Sequence, residues 1–144
     1  MRYDVVVLGG GLTGVELAAE LSENGHVAVV GDEPTVTRAR QRGLTAHEST
    51  LASASPPIDC TAETVVVATR SDARTLLLAT AAPRAFETDR VVALITDPEL
   101  DAAFADAGID TVCVPTAVSR AAADAVSQVA PPTSDTPERT SLRE

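Results

Sequence analysis

A chain of 144 residues with 44% hydrophobic side chains suits one globular domain, and with only 2% aromatics its core must be aliphatic. The formal net charge is −10, from 21 acidic residues against 11 basic ones, every one of them Arg. An acidic chain without lysine excludes Schiff-base chemistry, a Tyr–Lys catalytic pair and a P-loop lysine, and it repels nucleic acid and anionic lipid.

Strand and helix signals then alternate along the chain. The N-terminus enters its first strand with no basic region ahead of a signal-type apolar stretch, and no run reaches the roughly 18 apolar residues that span a bilayer. A cytoplasmic location without direct membrane insertion is therefore expected. "DVVVLG" is apolar on both faces, as a buried parallel strand is. It stops at Gly9-Gly10-Gly11, and Val15, Leu17, Ala18 and Leu21 continue as a helix that Gly25 is placed to end. "HVAVVG" is the second strand, "EPTVTRARQR" a helix stopped by Gly43, and "LTAH" the third strand.

Residues 48–62 are rich in Ser, Ala and Pro, with room for one helical turn before Pro56-Pro57. "TVVVAT" is the fourth strand. A helix over Ser71–Ala82 follows, capped by Asp72 and closed by Pro83. "RVVALIT" is the fifth strand. Thr96-Asp97-Pro98-Glu99 has the form of a capping box, with Thr96 as the cap of a helix that runs to Gly108. "DTVCVP" is the sixth strand and Thr116–Val129 the last helix. The pattern predicts an α/β, Rossmann-like, doubly wound parallel sheet of six strands in the order 3-2-1-4-5-6, forming a single domain over residues 1–130. The polar, Pro-rich stretch 131–144 is expected to be a disordered tail.

The chemistry concentrates at the first strand–helix junction. Gly9, Gly11 and Gly14 match G-x-G-x-x-G in the context that gives the motif meaning. Gly9 permits the turn out of the strand, Gly11 lets a pyrophosphate approach the backbone, and Gly14 lets the helix pack closely on the sheet. Gly10 is read as a spare. The helix start, with Leu12 and Thr13, offers free backbone N–H groups and the positive end of the helix dipole. Asp32 lies about 18 residues after Gly14, at the end of the second strand, where a carboxylate accepts from the ribose hydroxyls. Like charge there disfavours the 2′-phosphate of NADP. Glu48 is either an adenine-amino contact or a solvated loop acid. Thr69 and Arg70 fall at the carboxyl end of the fourth strand, on the rim of the switch-point crevice, where Arg70 is either a phosphate partner or a surface arginine.

Read whole, the stretches "VVVLGGGLTGVELAAEL", "GHVAVVGD", "VVVATRSDARTLLLA" and "VVALITDPELDAAFADAGIDTVCVP" resemble the TrkA-N domains, the N-terminal half of the regulator of potassium conductance (RCK) proteins. The resemblance covers roughly Arg2–Val129. It implies a domain that binds NAD(H) or an adenine nucleotide such as ATP or ADP and forms a homodimer. It also implies control of a potassium channel or transporter rather than chemistry. The chain departs from the family at "HEST", His47–Thr50, where a Gly-Asp-Ala-Thr-like turn is usual, and at Thr75, where an Asn is common. A C-terminal ligand-binding half has no counterpart here, so regulation is expected to act through a separate subunit, peripheral to a membrane transporter.

The alternatives are of different classes. "GGGLTGVELAAEL" is also similar to the nucleotide segment of pyridine-nucleotide oxidoreductases, although those need a second nucleotide domain and a redox centre. No catalytic constellation is found: the chain has one Tyr, two isolated histidines and no metal-ligand spacing. Cys60, in a loop, is expected to be inert and Cys113 to be a buried small hydrophobe. A degenerate Rossmann fold kept for protein contact is the third reading. The acidic, Ala- and Asp-rich composition resembles proteins of halophilic microbes.

Overall fold

The computed structural model describes residues 2–49 and 60–129. The proline-containing stretch at 56–57 and the tail expected at 131–144 lie outside the described residues. Two compact units divide the chain, Met1–Cys113 and Val114–Glu144.

The first unit is a six-stranded, wholly parallel sheet: β1 (Arg2–Gly9), β2 (Val27–Gly31), β3 (Thr45–Glu48), β4 (Thr61–Ala68), β5 (Arg90–Ile95) and β6 (Asp110–Cys113). The strand order is β3-β2-β1-β4-β5-β6. This is the Rossmann-like, doubly wound arrangement that the alternation predicts. Because β1 lies between β2 and β4, the chain runs outward from β1 in both directions, and the carboxyl ends of β1 and β4 form the topological switch point at which such sheets bind ligands.

The helices connecting the strands are α1 (Gly11–Leu21), α2 (Glu33–Gln41), α3 (Asp72–Ala85) and α4 (Asp101–Asp106). Each sheet face has its own aliphatic core. Val15 and Ala18 of α1 and Val36 and Ala39 of α2 pack with Val7, Val29, Ala46 and Val66. Leu78, Ala79 and Ala82 of α3 and Phe104 of α4 pack on the other face with Val6, Leu8, Val65, Val67 and Ile95. The two phenylalanines, Phe86 and Phe104, are fully buried in this second core. Truncating either to Ala should cost about 3–5 kcal/mol.

Strict alternation slips once. Tyr3 and Ala62 share a cluster with Val6, Leu8, Val65 and Val67, although their sequence parity puts them on opposite faces. Both strands are irregular at the intervening residue: the pairing passes from Tyr3↔Ala62 to Val5↔Thr64, and the amides of Asp4 and Val5 both donate to His26 O. Tyr3 is thereby turned inward, with burial pushing its phenol pKa up.

Both ends of α3 and the cap ahead of α4 differ from the sequence reading. Pro83 does not close α3, which continues to Ala85. A proline in the last turn forfeits only its own bond to the carbonyl four residues back, and the turn is completed by Phe86 N donating to Ala82 O at 2.9 Å. Ser71, not Asp72, caps α3, accepting from Arg74 N at 3.4 Å. Thr96 is not the cap of the helix after β5. That role falls to Asp97, whose Oδ1 accepts from Glu99 N at 2.9 Å and opens a short 3-10 turn ahead of α4. Cys60 is buried, and Cys113, expected to be buried, is only partly so.

The second unit contributes α5 (Val114–Val129), which starts two residues earlier than predicted. Its Val118 and Val126 are exposed. Among the described residues no helix is long and apolar enough to cross a membrane.

Candidate functional site

The glycine loop is built from three consecutive left-handed residues: Gly9 has φ 78°, Gly10 87° and Gly11 51°. Other L-residues enter this region at a cost of about 1–2 kcal/mol each, so the sequence Gly-Gly-Gly is what this path requires. The loop carries the chain from the end of β1 into α1 with Gly10 as the helix N-cap and no side-chain capping bond. The first intrahelical bond is Gly14 N to Gly10 O at 2.9 Å. The amides of Gly11, Leu12 and Thr13 precede it, and these residues are exposed at the helix end. A helix end with free donors and the positive dipole pole, and no capping side chain over it, suits an anion.

What each glycine does can be read from the space a Cβ would enter. At Gly14 a Cβ would fall on the carbonyl oxygen of Gly9, inside 3.0 Å, with Val7 Cγ1 at 3.4 Å. Close packing of α1 on β1 is therefore its task, as expected. At Gly11 a Cβ would meet nothing within 4 Å. This position faces open space, the condition for a ligand to approach the main chain. Gly10 is not a spare: its Cβ would lie 2.8 Å from Gly14 Cα, and its φ is 87°. The loop packs against the helix start there, so Gly10 is as constrained as its neighbours.

Asp32 follows β2 and stands at the carboxyl edge next to the loop. It caps α2, with Oδ1 accepting from Thr35 N at 3.0 Å. The Thr35 hydroxyl and amide, and then the positive charge of Arg70, hold the Asp32 carboxyl below its usual range, so it is anionic at neutral pH. Arg70 contributes from the turn after β4, across β1 in the sheet order, so the structure brings Asp32 and Arg70 to the same rim. Glu48 ends β3 in register with Gly31, and Ser49 N donates to Gly31 O at 2.7 Å. Its side chain is exposed at the outer end of that rim.

Thr69 directly follows β4, at the carboxyl end where the sequence puts it. Its backbone N–H donates to Thr75 Oγ1 at 3.0 Å, and its hydroxyl donates to Ser71 O at 2.7 Å and lies 3.0 Å from Thr75 Oγ1. The side chain is thus engaged in holding its own turn. Two further residues were not singled out as site residues. Thr75 is fully buried beneath that turn. Asp72 reaches across to the loop after β5, its carboxylate accepting from Thr96 N at 3.1 and 3.2 Å, Thr96 Oγ1 at 3.0 Å and Asp97 N at 3.0 Å. The sequence signals were the polar residue that the TrkA-N resemblance puts at Thr75 and the capping form of Asp72, and neither tells which groups they meet.

Three groups an oxidoreductase could recruit, Tyr3, Cys60 and His26, stand at the opposite end of the strands from the loop. Tyr3 starts β1, about 20 Å from Gly9 along the strand, and Cys60 precedes β4 at that same far edge. His26 precedes β2, where its amide donates to Asp4 Oδ2 at 2.8 Å.

A family model described as the TrkA-N domain matches residues 5–115. Among solved structures, the chain is similar to the NAD(P)-binding domain of an exopolyphosphatase-related protein from Archaeoglobus fulgidus. The TM-score is 0.73 at 21% identity, over 88% of this chain and 99% of that one. It is also similar to the TrkA-N domain of the inner membrane protein ybaL from Escherichia coli, with a TM-score of 0.65 at 15% identity, over 85% and 96% of the two chains. At such identities these likenesses speak to the fold. A search of the curated proteins gives no match. The family model covers well over half of the residues, from the first strand through the sixth, and the chain belongs to the TrkA-N domain family.

Proposed function

We propose that this TrkA-N domain binds NAD(H), with ATP or ADP as alternative adenine ligands, and regulates rather than catalyses. In this reading it works as a homodimer on the cytoplasmic side of a potassium channel or transporter. The observation that carries the binding step is the open space at Gly11, framed by the uncapped start of α1. The fit is chemical as well as steric. The amides of Gly11, Leu12 and Thr13 would hold the phosphates, Asp32 the ribose hydroxyls, Glu48 the adenine end, and Arg70 would balance phosphate charge.

An anionic Asp32 favours NAD(H) over NADP(H), since a 2′-phosphate would meet like charge. A bound nicotinamide cofactor supplies a hydride for chemistry. Here Tyr3 and Cys60 stand at the opposite sheet edge from the glycine loop, which supports a binding role. The relatives' printed descriptions, an NAD(P)-binding domain and a TrkA-N domain of an inner membrane protein, support the nucleotide and a setting at a membrane respectively.

The test is a thermal-shift screen in high-salt buffer with NAD⁺, NADH, NADP⁺, ATP, ADP and FAD, run on wild type and Gly11→Ala. A ligand at 100 times its Kd stabilises the folded state by about 2.7 kcal/mol. The expected result is a rise with NADH or an adenine nucleotide that is lost in Gly11→Ala. The positive φ lowers that variant's own Tm, so the ligand-induced increment is the readout. A flat response to all six ligands would remove the binding reading. Sedimentation with and without nucleotide checks the dimer.

A further inference from the structure

The turn Thr69–Ser71 is tied more heavily than a surface connection needs. Thr69 N donates to Thr75 Oγ1 at 3.0 Å, Thr69 Oγ1 to Ser71 O at 2.7 Å, Ser71 N to Thr69 Oγ1 at 3.2 Å and Thr75 N to Ser71 O at 2.9 Å. The direction of the remaining contact follows by elimination. Thr69 has one hydroxyl proton and gives it to Ser71 O, so in the 3.0 Å pair it is Thr75 Oγ1 that donates to Thr69 Oγ1. Thr75 therefore uses its hydroxyl as donor and acceptor at once, both toward Thr69.

Thr75 is 0% exposed, on a helix whose other buried positions are Leu78, Ala79 and Ala82. A hydroxyl in such a core is costly unless fully bonded, and Val would fill the same volume without that demand. The hydroxyl thus needs a purpose, and its bonds reach only the turn. Arg70, in the middle of this turn, has an exposed side chain that takes part in none of the bonds described.

We propose that the Thr69–Thr75 hydroxyl pair is a positioning device for the nucleotide site. It fixes the backbone from which Arg70 reaches a ligand phosphate, so affinity for phosphorylated ligands runs through a buried residue behind the switch point. Fixing the backbone beforehand lowers the ordering cost when the long Arg side chain is immobilised on an anion. This inference rests on the nucleotide-binding reading above and deepens it.

The test is a double-mutant cycle on the folded domain, with Kd measured for NADH and, in parallel, ATP. The variants are Arg70→Gln, Thr75→Val, Thr75→Ser and the Arg70→Gln/Thr75→Val pair. Loss of a charge-assisted phosphate contact should weaken binding about 10-fold in Arg70→Gln. Thr75→Val should weaken it by a similar factor, Thr75→Ser should restore it to near wild type, and the pair should be no weaker than Arg70→Gln alone. The salt dependence of Kd should flatten equally in Arg70→Gln and Thr75→Val, which a merely structural role for Thr75 would not produce. If Thr75→Val does not fold, Thr69→Val, at a half-buried position, carries the same cycle.

Losses that multiply in the double variant overturn the positioning role, as does a Thr75→Val protein that binds like wild type. Wild-type binding that is indifferent to Arg70→Gln overturns it as well, while leaving the nucleotide reading in place. Failure of the wild type to bind either ligand overturns both.

Discussion

Replacing Gly14 by Ala tests the close approach of α1 to β1, the feature that places the helix end over the strand. Two effects oppose each other. Ala is the better helix former, worth about 1 kcal/mol over Gly in a helix interior. Against this, the new Cβ would fall inside 3.0 Å of Gly9 O and at 3.3 Å from Gly9 C. Both are main-chain atoms with no rotamer to change, and ordinary contact would require the helix to retreat by roughly 1 Å. Overpacking against an unyielding neighbour costs about 3 kcal/mol, at the upper end of the usual range.

The net expectation is a loss of about 2 kcal/mol, or roughly 6–10 °C in Tm for a domain of this size. Far-UV circular dichroism during thermal and urea unfolding would measure it, with an unchanged m-value as the sign that the denatured state is unaffected. A Gly14→Ala protein as stable as wild type, or more so, would refute the reasoning. Helix α1 would then be free to lift from β1, and the loop geometry would not depend on that glycine.

Gly10→Ala should also destabilise, through its φ of 87° and the approach to Gly14 Cα, whereas Gly11→Ala should lose only about 1 kcal/mol; urea midpoints for the two would rank them. Asp32→Ala should cost about 1 kcal/mol at neutral pH through loss of the α2 cap, whereas Asp32→Asn keeps the cap, stays near wild-type stability and weakens NADH binding. The folded pKa of Asp32 lies below the ordinary aspartate value of 3.8, so its contribution is present above that value and lost as pH falls through the folded pKa. Wild-type urea midpoints should therefore fall in this acid window, and Asp32→Ala should show a shallower fall there. Asp72→Ala should speed hydrogen exchange at the Thr96 and Asp97 amides, both of which donate to its carboxylate, while the amides of β1 remain protected.

How much of this was legible in the sequence follows the range of the forces involved. Val5-Val6-Val7-Leu8 announces a buried strand because an apolar run covered on both faces has few other uses. The sheet order followed from the alternation of elements, since right-handed crossovers leave few alternatives. Gly14 was assigned correctly because the motif encodes a local packing need. Gly10 was not, because its constraint comes from Gly14, four residues on, and appears only once the helix start has folded back on the loop.

Capping misled for a related reason. Asp72 and Thr96 each have a side chain suited to a local cap, but they lie 24 residues apart in the chain and meet each other instead. Nothing within one helical turn of either residue encodes that preference. The inward turn of Tyr3 depends on matched irregularities in two strands, and the role of Thr75 depends on a turn that α3 brings over it. Periodicity and the alternation of elements determined the fold, the likeness of whole stretches to the TrkA-N domains pointed to the family, and the glycine spacing marked where a nucleotide site would be. Only the tertiary structure decided which polar groups meet there, because a hydrogen bond is made between atoms within about 3 Å and the chain does not announce which distant residues it will bring that close.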